Sequence, residues 1–109
     1  MGAPDDLLAG LEGFEWDEGN SDKNWHRHQV RQAEAEQVLL NRPLAVVVDH
    51  KHSQGEPRFI ALGRTDSGRR LTIIFTIRGQ RVRVISARPM SRREQRTYAQ
   101  AQARPEADS

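Results

Sequence analysis

Apolar and polar positions alternate through the second half of the chain, residues 58–88 (RFIALGRTDSGRRLTIIFTIRGQRVRVISAR). Phe59, Ala61 and Gly63 alternate with Ile60, Leu62 and Arg64. Leu71, Ile73, Phe75 and Ile77 then alternate with Thr72, Ile74 and Thr76. Val82 and Val84 follow, flanked by Arg81, Arg83, Ile85 and Arg88. A period of two, rich in Ile, Val, Thr and Phe, predicts strands of a half-buried sheet. Asp66-Ser67-Gly68 and Arg78-Gly79-Gln80 carry turn chemistry, because glycine accepts the positive φ of many hairpin loops. The stretch reads as a three-stranded antiparallel meander.

The first half has shorter elements. Phe14-Glu15-Trp16-Asp17 reads as a brief strand with Phe14 and Trp16 on one face, and Glu18-Gly19-Asn20-Ser21 as a turn. Ser21 or Asp22 would cap a first helix over about residues 22–29, with Trp25 as its core anchor and basic remaining faces. A second helix over 32–41 places Ala35, Val38 and Leu39 at helical spacing and ends at Asn41-Arg42-Pro43. Leu44–Asp49 is a continuous apolar run, expected to be a buried strand, and 50–57 (HKHSQGEP) is a polar loop. After Pro89, Ser91-Arg92-Arg93-Glu94 has the form of a capping box and starts a C-terminal helix bearing Tyr98, Ala99, Ala101 and Ala103. The order β-α-α-β-β-β-β-α predicts an α+β fold. Its small, twisted, mainly antiparallel sheet has two helices before the meander and one after. The divisions expected are an acidic extension over 1–13 with Leu7, Leu8 and Leu11, one domain over 14–103, and a polar tail over 104–109.

With 109 residues there is room for one core. A net charge of +2 conceals an uneven distribution: residues 1–20 hold six acids and no base, whereas 58–96 is strongly basic. Arg58, Arg64, Arg69, Arg70, Arg78, Arg81, Arg83 and Arg88 all fall within the meander, with Asp66 its sole acid. Such arginines either solvate the exposed face of a sheet or form an anion-binding surface, since a guanidinium fork matches phosphate oxygens. The absence of cysteine excludes disulfides and thiolate metal sites. The longest apolar run, Leu44–Val48, is too short to span a bilayer, and no basic-then-apolar leader opens the chain. A soluble cytoplasmic protein with no membrane partner is expected.

His26/His28 and His50/His52 form two His-x-His pairs. Two residues apart on a helix do not share a face, and the loop pair has no third ligand signalled, so no metal site is expected. Glu56 enters the meander beside Pro57-Arg58, either as a structural ion pair or as a general base that deprotonates a hydroxyl while arginines hold a phosphate. Tyr98 is either a core aromatic or a group reaching the basic face. There is no glycine-rich phosphate loop, no Gly-x-Ser-x-Gly and no His-Glu-x-x-His, so metal-free and cofactor-free chemistry is expected. RNA cleavage through its own 2′-OH fits a small basic domain, because it asks for positioning, charge stabilisation and proton transfer.

Phe14-Glu15-Trp16-Asp17, then Asn24-x-x-Arg27-His28-x-Val30, then Glu56-x-Arg58-Phe59-Ile60-Ala61-Leu62-Gly63, and finally Arg81-x-Arg83-x-Ile85-Ser86-Ala87-Arg88 with Arg92-Arg93-Glu94 and Tyr98 resemble the BrnT family. These are RelE-like ribonuclease toxins of bacterial type II toxin–antitoxin systems, and the resemblance covers about residues 14–98. It implies a protein that cleaves RNA, inhibits translation and growth, and is neutralised by a BrnA-like antitoxin. Operator DNA would be bound only through the antitoxin complex. By the resemblance, Arg64 and Arg88 would carry phosphate and transition-state charge, and Glu56 would be the base. Arg27, Arg58, Arg83, His28 and Tyr98 would bind substrate. The alternative is an inactive homologue, or a basic nucleic-acid-binding module that only binds. The chain departs from the family pattern at Gln29, where glycine is usual, and at Pro89, where a further arginine is common. Strict alternation would also put Arg83 and Arg88 on opposite faces, unless a bulge re-aims one or Arg88 lies beyond the strand.

Overall fold

The computed structural model describes residues 8, 10–16, 18–52 and 55–103. Most of the expected extension, Asp17, Ser53-Gln54 and the 104–109 tail lie outside the described residues. The strands are β1 (Gly13–Glu15), β2 (Ala45–Val48), β3 (Phe59–Arg64), β4 (Arg70–Arg78) and β5 (Arg81–Pro89). The helices are α1 (Glu18–His28), α2 (Gln32–Leu40) and α3 (Arg92–Ala103). The strands form one sheet in the order β1-β5-β4-β3-β2, antiparallel except for the parallel β1–β5 pair. The fold is α+β, as expected, with two helices before the meander and one after. No helix among the described residues is long and apolar enough to cross a membrane.

Alternation divides the sheet into two faces. The inner face carries Ala61, Leu71, Ile73, Phe75, Val82, Val84 and Ala87, all buried in one cluster with Val30 and with Ala35, Val38 and Leu39 of α2. Burial of that apolar surface is the main stabilising term of the domain. α2 comes so close to β3 that a Cβ on Gly63 would lie 2.8 Å from Val38 Cγ1 and 3.2 Å from the Val38 carbonyl oxygen. The outer face is covered at one corner by α3, where Tyr98, Met90 and Leu62 cluster with Ala45 and Ile60.

Several expectations change. α1 begins at Glu18 and not near residue 22, so the stretch expected to be a turn is its first turns. Gly, Asn and Ser are weak helix formers, but propensity is a prior that context overrides. Trp25 is not the core anchor: it is 39% exposed, while Asn24 is 2% exposed. Asn24 lies against β5 beyond the end of the short β1 and uses its Oδ1 to accept the Ala87 N–H at 3.1 Å. It closes a strand edge that would otherwise leave a buried donor unpaired. β2 is an edge strand and not a buried one; Val47 and Val48 remain 49% and 39% exposed. The apolar run had implied cover on both faces.

Candidate functional site

The site question turns on which face each arginine occupies. In the β4–β5 ladder Ile74 pairs with Ser86 and Phe75 with Val84, leaving Ile85 as an extra residue in β5. That bulge shifts the alternation by one position, so Arg83 and Arg88 point to the same side. The outer face then carries Arg64 of β3, Arg70, Thr72 and Arg78 of β4, and Arg81, Arg83, Ser86 and Arg88 of β5. Arg64 stands directly opposite Arg70, and Arg78 directly opposite Arg81. Like charges opposite each other across strands are destabilising, so two such pairs on one face need a compensating partner.

At one end that partner is internal. Arg78 makes a two-point pair with Glu56, Nε to Oε2 at 3.1 Å and Nη2 to Oε1 at 3.2 Å. Glu15 of β1 accepts from Arg83 at 3.3 Å and lies 3.9 Å from Arg78. The Arg78 guanidinium holds the Glu56 carboxyl below its ordinary value against an opposing desolvation, with Arg83 and Arg58 adding smaller lowering effects. The parallel β1–β5 pairing sets Glu15 beside Arg83, a juxtaposition with no signal in local sequence.

The other end differs. Arg88 pairs with Glu94 of α3 through Nη1–Oε1 at 2.7 Å and Nη2–Oε2 at 2.9 Å. The same carboxylate accepts from Thr72 Oγ1 at 2.9 Å and from the Ser91 N–H at 2.8 Å. Ser91 Oγ in turn accepts the Glu94 N–H at 3.1 Å, completing the capping box. The Arg88 guanidinium is the chief cause that lowers the Glu94 carboxyl to about 2, outweighing desolvation, with Ser91 and Thr72 helping. Next to this hub Arg64 donates to the Arg42 carbonyl at 3.3 Å, and Arg70 sits 5.8 Å from the Tyr98 ring centroid. Among the described residues no carboxylate pairs with Arg64 or Arg70. By sheet geometry Arg70 is the diagonal neighbour of Arg88, roughly 7–8 Å away.

The expected site residues therefore fall into separate groups. Arg64 and Arg88 share one end of the outer face, joined by Arg70. Glu56, Arg78 and Arg83 share the other. Thr72 and Arg78 are six positions apart on β4, about 20 Å of strand, so Glu56 is not beside Arg64 and Arg88. Arg58 enters β3 half-buried, its carbonyl accepting the Asp49 N–H at 2.7 Å. Arg27 is exposed and His28 half-buried in the last turn of α1. Gln29 ends that helix in the left-handed region at φ +56°, the conformation for which glycine is usual, and donates both its N–H and its Nε2 to the Trp25 carbonyl. Arg69 completes the terminus by donating to the Gln29 carbonyl at 2.7 Å and the His28 carbonyl at 3.2 Å, while pairing with Glu34 of α2. Tyr98 is fully buried and donates its hydroxyl to the Pro43 carbonyl at 2.8 Å, the core alternative of the two readings. Burial pushes that hydroxyl's pKa up against the lowering effect of Arg64 and Arg70.

Arg70, Thr72 and Glu94 were absent from the expected site. Arg64 and Arg70 are equidistant from the turn centred on residue 67, which is the signal for their pairing. The capping box marked Glu94, but as a helix cap alone. Among the described residues no group of three His, Asp or Glu side chains converges as a metal site would.

The family model described as "Ribonuclease toxin, BrnT, of type II toxin-antitoxin system" matches residues 16–94. No curated protein matches the chain. Among solved structures, the chain is similar to the crystal structure of the Brucella abortus ribonuclease toxin BrnT, with 24% identity and a TM-score of 0.53. That alignment covers 73% of this chain and 97% of the other, and at this identity it shows a shared fold.

Proposed function

The chain belongs to the BrnT family of ribonuclease toxins of type II toxin–antitoxin systems, and from that premise we propose that it is a metal-independent endoribonuclease. In this proposal Arg64, Arg70 and Arg88 form the phosphate-binding end of the outer face. The observation that carries it is the Arg64/Arg70 pair: two guanidiniums directly opposite on neighbouring strands, with no carboxylate between them among the described residues. Such a pair is costly in the free protein and favourable around an anion. As the 2′-oxygen attacks the phosphorus and the bond to the 5′-oxygen breaks, fixed cations at the phosphodiester stabilise the developing charge, with solvent water taking the 2′-OH proton and returning one to the 5′-oxygen. Arg78 and Arg83, about 20 Å along the strands, would track the RNA backbone.

Two carboxylates of the face, Glu56 and Glu94, are poor bases, and the third, Glu15, is paired with Arg83 at the end away from Arg64 and Arg88. Glu56 is held low by Arg78 and Glu94 at about 2 by Arg88. The contribution of this face to cleavage is thus electrostatic and positional. Glu56 belongs with the backbone-tracking end, and Tyr98 supports Arg70 from below. In this proposal Arg27 and His28 of α1 and Arg58 at the entry to β3 remain substrate contacts.

The family premise supports a cytoplasmic toxin that slows growth through translation and is silenced by a cognate BrnA-like antitoxin, with operator DNA bound through that complex. Inducible expression with and without the neighbouring open reading frame tests this. Growth arrest with RNA decay is expected, relieved by the neighbour and by Arg64→Ala. A second reading, binding without cleavage, is favoured by one observation: Glu94 already fills the fork of Arg88. Soluble protein that leaves growth and RNA intact would select it.

A further inference from the structure

Trp25 has no place in the core and none in the arginine face. It projects from α1 with 39% of its surface exposed, one residue after the buried Asn24. The Arg31 guanidinium carbon lies 5.1 Å from its ring centroid, within cation–π range. The stretch 23–33 holds Lys23, His26, Arg27, His28 and Arg31 and no acid. Among the described residues the other large exposed apolar side chains, Leu40, Val47 and Val48, are aliphatic and offer no π-face.

We propose that Trp25 is a stacking platform for an unpaired RNA base, with Arg31 and the basic last turn of α1 holding the adjoining phosphates. The proposal rests on the RNA-cleaving reading above and adds a base-binding subsite to it. Every base presents a π-face to an indole ring, so such a platform is tolerant of sequence. The Arg31 guanidinium covers the ring from one direction, which adds a planar cation to the stack.

Two features hold the platform in place. Asn24, immediately before Trp25, is bonded to Ala87, immediately before Arg88. The two backbones are thus within roughly 15 Å, a distance that a short single-stranded segment spans. Arg69 and Gln29 fix the C-terminal turn of α1, so the ring is mounted on a closed helix end. An isolated surface aromatic is common and by itself needs no explanation. That simpler view predicts no effect of removing the ring on RNA binding.

The test is a titration of a short, unstructured 2′-O-methyl oligoribonucleotide, which cannot be cleaved, against wild type, Trp25→Ala and Trp25→Phe at several salt concentrations. Inorganic polyphosphate, which carries charge but no bases, is the second probe. Trp25→Ala should weaken oligonucleotide binding by roughly 5- to 100-fold with an unchanged salt slope. Trp25→Phe should retain most of the affinity, and polyphosphate should bind all three alike. Equal oligonucleotide affinity for wild type and Trp25→Ala would overturn the platform, as would an equal loss on polyphosphate. Wild type that cleaves RNA alongside an unimpaired Trp25→Ala sinks the platform alone. Wild type that neither binds nor cleaves RNA removes the ribonuclease reading and the platform together.

Discussion

Glu94→Gln isolates the charge at the hub between β5 and α3 while keeping its shape. The glutamine oxygen can still accept from Thr72 or Ser91, but its amide NH2 faces the Arg88 donors and loses one arm of the pair. The hub moves the Glu94 carboxyl from 4.5 to about 2. At about 1.4 kcal/mol per pH unit that corresponds to about 3 kcal/mol. Because the Arg88 and Glu94 side chains are 33% and 22% exposed, screening reduces the expected contribution to about 1–2 kcal/mol. The sign follows from the depressed carboxyl: the contribution is complete above about pH 5 and is lost as the pH falls from about 4.5 to about 2. Urea denaturation of both proteins should show wild type more stable by about 1–2 kcal/mol at pH 7, with more than half of that gap gone by pH 3. A gap that stays constant with pH, or no gap at pH 7, would refute a charge-dependent hub.

Gly63→Ala should cost about 1–3 kcal/mol in the same assay, since its Cβ would lie 2.8 Å from Val38 Cγ1; an unchanged midpoint would mean that α2 is free to slide. Tyr98→Phe should cost about 1–2 kcal/mol by orphaning the Pro43 carbonyl while leaving RNA affinity near wild type. A large loss of affinity at full stability would return Tyr98 to the substrate site. Arg64→Ala and Arg70→Ala should each weaken RNA binding across all sequences and reduce the salt slope by about 1. A slope unchanged in both variants would place the phosphates elsewhere.

The meander was legible because its alternation is long and its turns carry glycine in the conformations required, with φ +92° at Gly68 and +60° at Gly79. The capping box was legible for the same reason: Ser91 and Glu94 are three residues apart, and local bonds follow local spacing. What sequence could not give was tertiary. The parallel seat of β1 on β5 joins residues 68 apart, Glu15 and Arg83. It supplies Glu15 as a carboxylate partner to Arg83 at one end of the arginine face. The Ile85 bulge puts Arg83 and Arg88 on one face, and the residue identities announce no extra position there. Size alone points to Trp25 as the core residue, whereas Asn24 occupies the buried position because the β5 edge needs an acceptor more than a large ring.

The most direct test is cleavage of a defined single-stranded RNA by the purified chain in the presence of EDTA, comparing wild type with Arg64→Ala and with Arg78→Ala. Wild type should cleave, Arg78→Ala should cleave with weakened binding, and Arg64→Ala should lose cleavage at saturating RNA while remaining folded. Cleavage by Arg64→Ala at the wild-type rate, or wild-type cleavage abolished by EDTA, would contradict a metal-independent site built on the Arg64/Arg70 pair.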